Sequence, residues 1–296
     1  MLSTFHRKTL LNCQQLFLLV QHTKTNEMNN VGLYNKSNIQ QKTGAIQYLR
    51  EYYDVIKWKK NSLVFDIGCG EGSVTSNVIK KSIPYCKTLI GCDVSEDMIR
   101  FANEHYSSES IQFTVLDIAG DLPDELRERF HHAFSFFVMH WVQKQENAFR
   151  NIYNLLQQDG DCLATFVGQA AFYDALRELA KRKKWKIWLK DTEKFISPYH
   201  DSSNPEKQLR EMLDKIGFSF IEIQYKRLSF EYESAELFHE AIKALTPFKI
   251  PADIFNEFLT ELFEEMQIID FEVYKYEKST CEWVHNFYLF ILYIKK

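Results

Sequence analysis

Ten consecutive residues constrain this chain more than any others: Val64-Phe65-Asp66-Ile67-Gly68-Cys69-Gly70-Glu71-Gly72-Ser73. The apolar run from Leu63 to Ile67 reads as a buried strand with one acid near its end, and Ser73 to Lys81 follows a helical pattern. Between them stand three glycines at alternate positions, which let the backbone turn sharply and bring its N–H groups close to a ligand. The helix N-terminus beyond adds a partial positive field. A Gly-x-Gly-x-x-Gly run would suggest a dinucleotide with its pyrophosphate on that helix. Here the order is Asp-x-Gly-x-Gly-x-Gly, through Asp66, Gly68, Gly70 and Gly72. The Asp66 carboxylate stands where a pyrophosphate reader would not want one, and it suits a ligand that carries an ammonium group.

Two further strands end in acids. Leu89 to Asp93 reads as the second, and Ser95 is placed to cap a helix that carries Glu96 and Asp97 in its first turn and runs to Tyr106. A carboxylate at that strand end can accept two hydroxyl hydrogen bonds from a ribose, and Asp93 stands 21 residues after Gly72, the offset such a site needs. Val94 follows it in the same turn. Ile111 to Leu116 alternates as a third strand and ends at Asp117, which can accept the exocyclic amine of adenine while the Ile118 N–H donates to the ring. Met98, one turn into the intervening helix, has two readings, on the adenine face or in the core. Asp66, Asp93 and Asp117 together predict ammonium, ribose and adenine in order along one sheet edge.

Downstream, Ala133 to Val138 is a fourth strand leading into Met139-His140-Trp141, Gln145 to Leu156 a helix, Gln158-Asp159-Gly160 a turn, and Cys162 to Val167 a fifth strand. Such alternation argues a parallel, helix-covered sheet with right-handed crossovers. It then breaks. Phe172 to Leu189 is helical, with a basic run at Lys181 to Lys184 and Trp185 and Trp188 interleaved; the acids around it favour a solvated helix face over a nucleic-acid or membrane contact. Glu206 to Ile216 is a helix ended by Gly217, Phe218 to Tyr232 a strand, Ser234 to Leu245 and Ala252 to Ile269 amphipathic helices, and Val284 to Ile294 a strand. Upstream, Asn35 to Tyr53 is a helix with Gln40 and Gln41 near its start.

With 296 residues, 45% of them hydrophobic, the chain can bury one sizeable core. A net charge of −4 offers nothing to attract a phosphate backbone, so no nucleic-acid partner is expected. The six cysteines, Cys13, Cys69, Cys86, Cys92, Cys162 and Cys281, lack paired spacing, which predicts neither disulfides nor a metal site. Cys69 and Cys92 read as small buried residues, and a reducing cytoplasm fits. The acid-poor start carries only a short apolar patch, Leu16 to Val20, too short to span a membrane; we read residues 1–27 as a leader and Met28 as the start of the domain.

Asp66 to Gly72, Gly91-Cys92-Asp93-Val94-Ser95, Val115-Leu116-Asp117-Ile118, His140-Trp141 and Phe195-Ile196-Ser197-Pro198-Tyr199-His200 together resemble the insect juvenile hormone acid O-methyltransferases, as do Met28-Asn29-Asn30 and Gln40-Gln41-Lys42. The cofactor motifs are those of S-adenosylmethionine methyltransferases in general; Met28-Asn29-Asn30, Gln40-Gln41-Lys42 and the Ser197-Pro198-Tyr199-His200 turn point to the narrower family. The likeness runs from Met28 to about Phe248 and weakens beyond. It implies a Rossmann-like class I methyltransferase of the α/β class, with a mostly parallel seven-stranded sheet, helices on both faces and a helical cap, spanning 28–296 with cap helices around 170–215 and 234–270. It also implies methyl transfer from S-adenosyl-L-methionine to the carboxylate of an isoprenoid acid, farnesoic acid or a juvenile hormone acid, with a fatty acid as a further candidate, and it leaves a homodimer open.

The residue chemistry is compatible with that acceptor. A carboxylate is ionised at neutral pH and needs no general base, and neutral donors hold it without blunting its attacking oxygen. Gln41 and Trp141 match the family's carboxylate-binding pair; their other readings are a polar helix residue and core packing. His140 reads as structural. An isoprenoid tail would lie among aromatics such as Phe137, Phe166, Phe172, Trp185 and Trp188. Two other functions stay open: methyl transfer to a different small molecule, and a paralogue that binds cofactor or lipid acid without turnover.

Overall fold

Alternation along the strands sorts their side chains onto two faces, each buried under helices. In the first strand, β1 (Ser62–Ile67), Val64 enters one apolar cluster while Phe65 and Ile67 enter another. The same split recurs in the last, β7 (Trp283–Lys295): Leu289, Ile291 and Tyr293 point one way, Phe290, Leu292 and Ile294 the other. The computed structural model describes residues 39–246, 248–269 and 283–296. The expected leader, Met28, Cys13 and Cys281 lie outside the described residues.

The remaining strands are β2 (Cys86–Asp93), β3 (Ile111–Val115), β4 (Phe130–Phe136), β5 (Leu156–Ala170) and β6 (Phe220–Tyr232). They form a seven-stranded sheet in the order β3-β2-β1-β4-β5-β7-β6, parallel except where β7 pairs antiparallel to β5 and to β6. This is the mostly parallel sheet expected from the sequence. Helix α1 (Ile39–Glu51) contributes Ala45, Tyr48 and Leu49 to the first core face. After the glycine loop, Thr75–Ile79 forms a π-helical turn that runs into the short helix α2 (Lys80–Ser82), a local departure from the regular helix expected there. Helix α3 (Glu96–Tyr106) starts as predicted at Ser95, whose Oγ accepts the Met98 N–H at 3.3 Å.

Helices α4 (Gln145–Leu155) and α6 (Pro205–Ile216) cover the second core face through Phe149, Ile152, Leu209 and Leu213. The turn expected at Gln158 to Gly160 lies within β5, with Asp159 alone at φ 62°. The helix expected from Phe172 to Leu189 stops early: α5 is Ala171–Lys181, and turns follow. The basic residues after it are exposed or half-buried, as expected of a solvated face, and two of them also carry ion pairs to a distant helix. Arg182 pairs with Glu261 at 2.8 Å and with Glu265, and Lys184 with Glu257 and with Glu261 at 3.3 Å, all on α8 (Ala252–Ile269). Trp185 donates its Nε1–H to the same Glu261 at 2.8 Å. Acids far along the chain, 79 and 83 residues from Arg182, thus pair with the basic run, which local pattern does not reveal. Helix α7 (Ala235–Leu245) lies between β6 and α8 in sequence and buries Phe238, Ala241 and Ile242 in the first core face.

Candidate functional site

The carboxyl ends of β1, β2 and β3, with the loop after β4, open onto a cleft of about 550 Å³. Open α/β sheets place ligands at this edge. The glycine loop forms one wall in left-handed backbone, with φ 70° at Gly68 and 54° at Gly70. A Cβ on Gly68 would stand 2.3 and 2.5 Å from the two γ-carbons of Val138, so only glycine fits. Gly72 does not line the cleft. A Cβ there would stand 2.8 Å from Phe113 Cζ and 2.9 Å from Ala102 Cβ, so its absence serves packing.

Asp93 lines the cleft and is held from two sides, accepting the Gly70 N–H at 3.0 Å and the Ser95 N–H at 2.9 Å. Burial raises its pKa, and those backbone donors oppose the rise. Asp117 and Ile118 line the neighbouring wall, with Asp117 Oδ1 fixed by the Ala119 N–H at 2.9 Å. Met98 and Val94 complete that end, Val94 on the exposed rim. Asp66 is placed differently. It sits behind the loop, 3% exposed, where Thr75 Oγ donates to its Oδ2 at 2.5 Å, and it does not reach the cleft wall. Burial pushes its carboxyl up to about 7, the Thr75 bond works against this, and Asp93 and Glu71 add to it.

A second cavity, of about 70 Å³, adjoins the cleft through two shared walls, Phe137 and Trp141. Gln41 opens onto it from α1, buried, with its Oε1 unpartnered among the described residues. An amide in this condition can turn either its oxygen or its NH2 to a ligand. His140 also lines this cavity, but its Nδ1 accepts the Val167 N–H at 3.4 Å, which leaves the proton on Nε2. Burial drives the imidazole down to about 3, so it stays neutral and is a poor base.

Phe137, at the end of β4, holds a left-handed φ of 59° while its N–H bonds Thr165 O at 2.7 Å. Backbone strain of this kind clusters at functional sites. A Cβ on Gly44 would stand 2.7 Å from the Phe137 ring, so α1 needs a glycine to seat it. Of the aromatics expected around a tail, Phe137 and Phe172 line the small cavity. Phe166 faces the opposite core, stacked on Phe290 at 4.7 Å, while Trp185 and Trp188 belong to the α5–α8 packing. Composition alone cannot assign an aromatic to one sheet face. Sequence reasoning also missed Gln40 and His285, both on the small cavity. A histidine among the apolar residues of β7 was the available signal for the latter. Among the described residues no three His, Cys, Asp or Glu side chains are grouped to hold a metal ion, and no helix is long and apolar enough to cross a membrane.

Known proteins resemble the chain in sequence and in fold. A family model described as a methyltransferase domain matches residues 64–160. The juvenile hormone acid O-methyltransferase of Bombyx mori is 44% identical over 249 residues, covering 82% of this chain and 89% of the relative. That of Drosophila melanogaster is 32% identical over 88% of this chain and 96% of its own length. The crystal structure of the YcgJ protein from Bacillus subtilis superposes with a TM-score of 0.58 at 16% identity, over 84% of this chain and 98% of that one, a likeness of fold. With the glycine loop, the strand-end acids and the seven-stranded sheet in place, these relatives show that the chain belongs to the juvenile hormone acid O-methyltransferases, Rossmann-like methyltransferases of class I.

Proposed function

We propose that this chain esterifies the carboxylate of a long-chain isoprenoid acid, with S-adenosylmethionine as its cofactor. The observation that carries the reading is the shared wall. A nucleoside-sized cleft and an uncharged small cavity meet at Phe137 and Trp141, with Gln41 on the acceptor side. The cofactor supplies a sulfonium methyl group already activated for displacement. Asp93 is suited to hold a ribose diol, Asp117 and Ile118 the adenine edge, and Met98 its face, while Gly68 and Gly70 bring backbone close to the methionine end. Asp66 acts through its charge from behind the loop, and Gly72 and Val94 shape the loop and the rim.

Gln41 and Trp141 fix the acceptor carboxylate with neutral donors, and the apolar remainder of the cavity keeps water away, which strengthens every electrostatic contact inside. Ligand pockets of drug-sized molecules run to about 300–1,000 Å³. A cavity of about 70 Å³ must therefore widen for an isoprenoid tail, and Ile242 on α7 is one of its walls. We take the segments around 170–215 and 234–270 as that cap on a single domain, with α6 alone set over the opposite core face. Cytoplasmic residence is supported by the four cysteines among the described residues, all free and three of them buried.

Incubation with labelled cofactor and a panel of acids, amines and alcohols tests the reading. Farnesoic acid is expected to be methylated, and farnesol is not. A hydroxyl needs a base, and the cavity histidines are held near 3 and 4, far below neutrality. Efficient transfer to farnesol, or none to any acid, overturns the proposal.

Two further expectations concern the cofactor side. Asp93→Ala should weaken S-adenosylhomocysteine binding by about 1.5–3 kcal/mol, since charge-assisted bonds to the ligand and to the loop are lost together. Calorimetry showing unchanged affinity in a folded variant removes Asp93 from the site. Asp66 should report binding as a proton. Its carboxyl ionises near 7 in the folded protein against 3.8 ordinarily, so between those values the folded state holds a proton that the unfolded state lacks. Stability contributed by Asp66 is therefore present at low pH and lost as pH rises from about 4 to about 7. A cofactor carrying an ammonium and a sulfonium favours the charged carboxylate, so binding at pH 6.5 should release protons. Calorimetry in buffers of different ionisation enthalpy reads that release, which Asp66→Asn should abolish.

A further inference from the structure

One long stretch of this acidic chain carries almost no acid. The protein has 40 Asp and Glu among 296 residues, yet from Val55 to Cys92 only Asp66 and Glu71 occur, against six lysines. Both of those acids are buried, at the cleft end of β1 and in the glycine loop after it. The lysines lie at the other end of the strands. Lys57, Lys59 and Lys60 stand in the turn that enters β1, and Lys81 and Lys87 lie on either side of the loop that enters β2. Ser62 is the register partner of Cys86 and donates its N–H to Tyr85 O at 3.3 Å, so the two turns form one surface. These five lysines are exposed, and none of them forms an ion pair among the described residues.

Apolar side chains stand among the charges. Tyr53, Val55 and Tyr85 are 42%, 43% and 69% exposed. Tyr85 holds a left-handed φ of 60°, a costly conformation for a bulky residue that gains no burial there, so stability does not explain a tyrosine at this place. Trp58 pins the neighbouring turn, donating its Nε1–H to Tyr53 O at 2.8 Å and setting its ring edge-on to His132 at 5.2 Å. Ammonium groups alone would suit any polyanion. Lysines interleaved with tyrosines and a valine suit the headgroup region of a bilayer, where the charges meet anionic lipid and each tyrosine sinks its ring while its hydroxyl stays wet. We propose that this amino-terminal edge of the sheet docks the protein on a bilayer surface bearing anionic lipid headgroups. The patch lies a strand length, about 20 Å, from the cofactor cleft, so the docked protein leaves the cleft open to a water-soluble cofactor. The assignment holds whatever acid the enzyme methylates.

Cosedimentation of the full chain with phosphatidylcholine vesicles, prepared with and without phosphatidylserine, tests the proposal. Binding is expected to the anionic vesicles, about tenfold or more above the neutral ones, and it should weaken as salt is added. Changing Lys57, Lys59 and Lys60 together to glutamine should lower the affinity about a hundredfold, at roughly fivefold for each lysine. Tyr85→Ser should lower it several-fold at high salt as well as at low, because the ring's share is not screened. Tyr85→Gly should bind as weakly as Tyr85→Ser and melt above the wild type, since glycine accepts the left-handed backbone. Calorimetry should show the same S-adenosylhomocysteine affinity in all of these variants, which also confirms that they are folded. No binding to anionic vesicles at low salt, equal binding to both kinds of vesicle, or a triple lysine variant that binds as the wild type does overturns the proposal. So does displacement of the vesicles by duplex RNA combined with no effect of Tyr85→Ser, a result that makes the patch a site for polyanions at large.

Discussion

Gly68→Ala is expected to lower the free energy of unfolding by about 2–5 kcal/mol, because two costs add at one atom. The left-handed backbone at φ 70° charges any residue with a Cβ about 1–2 kcal/mol. The new methyl also falls 2.3 Å from Val138 Cγ2, on the loop after β4, and overpacking of that kind costs about 1–3 kcal/mol. Function should suffer in parallel. Gly68 and Gly70 form the loop that the Asp93 carboxylate ties down through the Gly70 N–H, so displacing the loop weakens S-adenosylhomocysteine binding by about tenfold or more. Urea denaturation and calorimetry on the same samples measure both. Pairing the variant with Val138→Ala separates the costs: the clash is relieved and the backbone strain stays, so roughly half of the lost stability should return. Wild-type stability in Gly68→Ala alone means that the loop does not hold this conformation.

The parts of the molecule that were legible in the sequence are those specified by local pattern. The strand into Asp66, the glycine spacing, the Ser95 cap and the acids after β2 and β3 each depend on neighbours a few residues away, and the fold sets them side by side on one edge. What depends on distant partners was not legible. The basic run after Lys181 is held by Glu257, Glu261 and Glu265, and no window on the sequence contains both halves. Asp159 enters β5 although its Gln-Asp-Gly setting is that of a turn, because β5 continues through it to pair with β4 and β7. Phe137 and Phe166 look alike in sequence, yet one borders the small cavity and the other fills the opposite core, a distinction made by the tertiary fold. The same holds for His285, whose surroundings come from α7 and from β7 itself.

Gln41→Ala and Trp141→Phe are expected to impair the acceptor without touching the nucleoside. Gln41 lies outside the cofactor cleft altogether, and Trp141→Phe preserves the ring that walls it. Each change deletes one neutral donor to a charged oxygen, worth about 1.5–3 kcal/mol, so kcat/KM for farnesoic acid should fall roughly ten- to two-hundredfold in each variant, with S-adenosylhomocysteine affinity within a few-fold of wild type. If the two residues serve one carboxylate, as proposed, the double variant should show coupling and lose less than the product of the single losses. Stability separates this from a packing role. Trp141 is only partly buried, its ring 4.7 Å from His140 and 6.5 Å from Phe195, and phenylalanine keeps most of those contacts. A pure packing residue would therefore lose little activity as phenylalanine, in proportion to a small change in Tm. A large loss in kcat/KM at constant Tm assigns the N–H to the acceptor. Full activity in both variants removes Gln41 and Trp141 from the acceptor site and leaves the cofactor cleft as the part of the reaction this chain's residues account for.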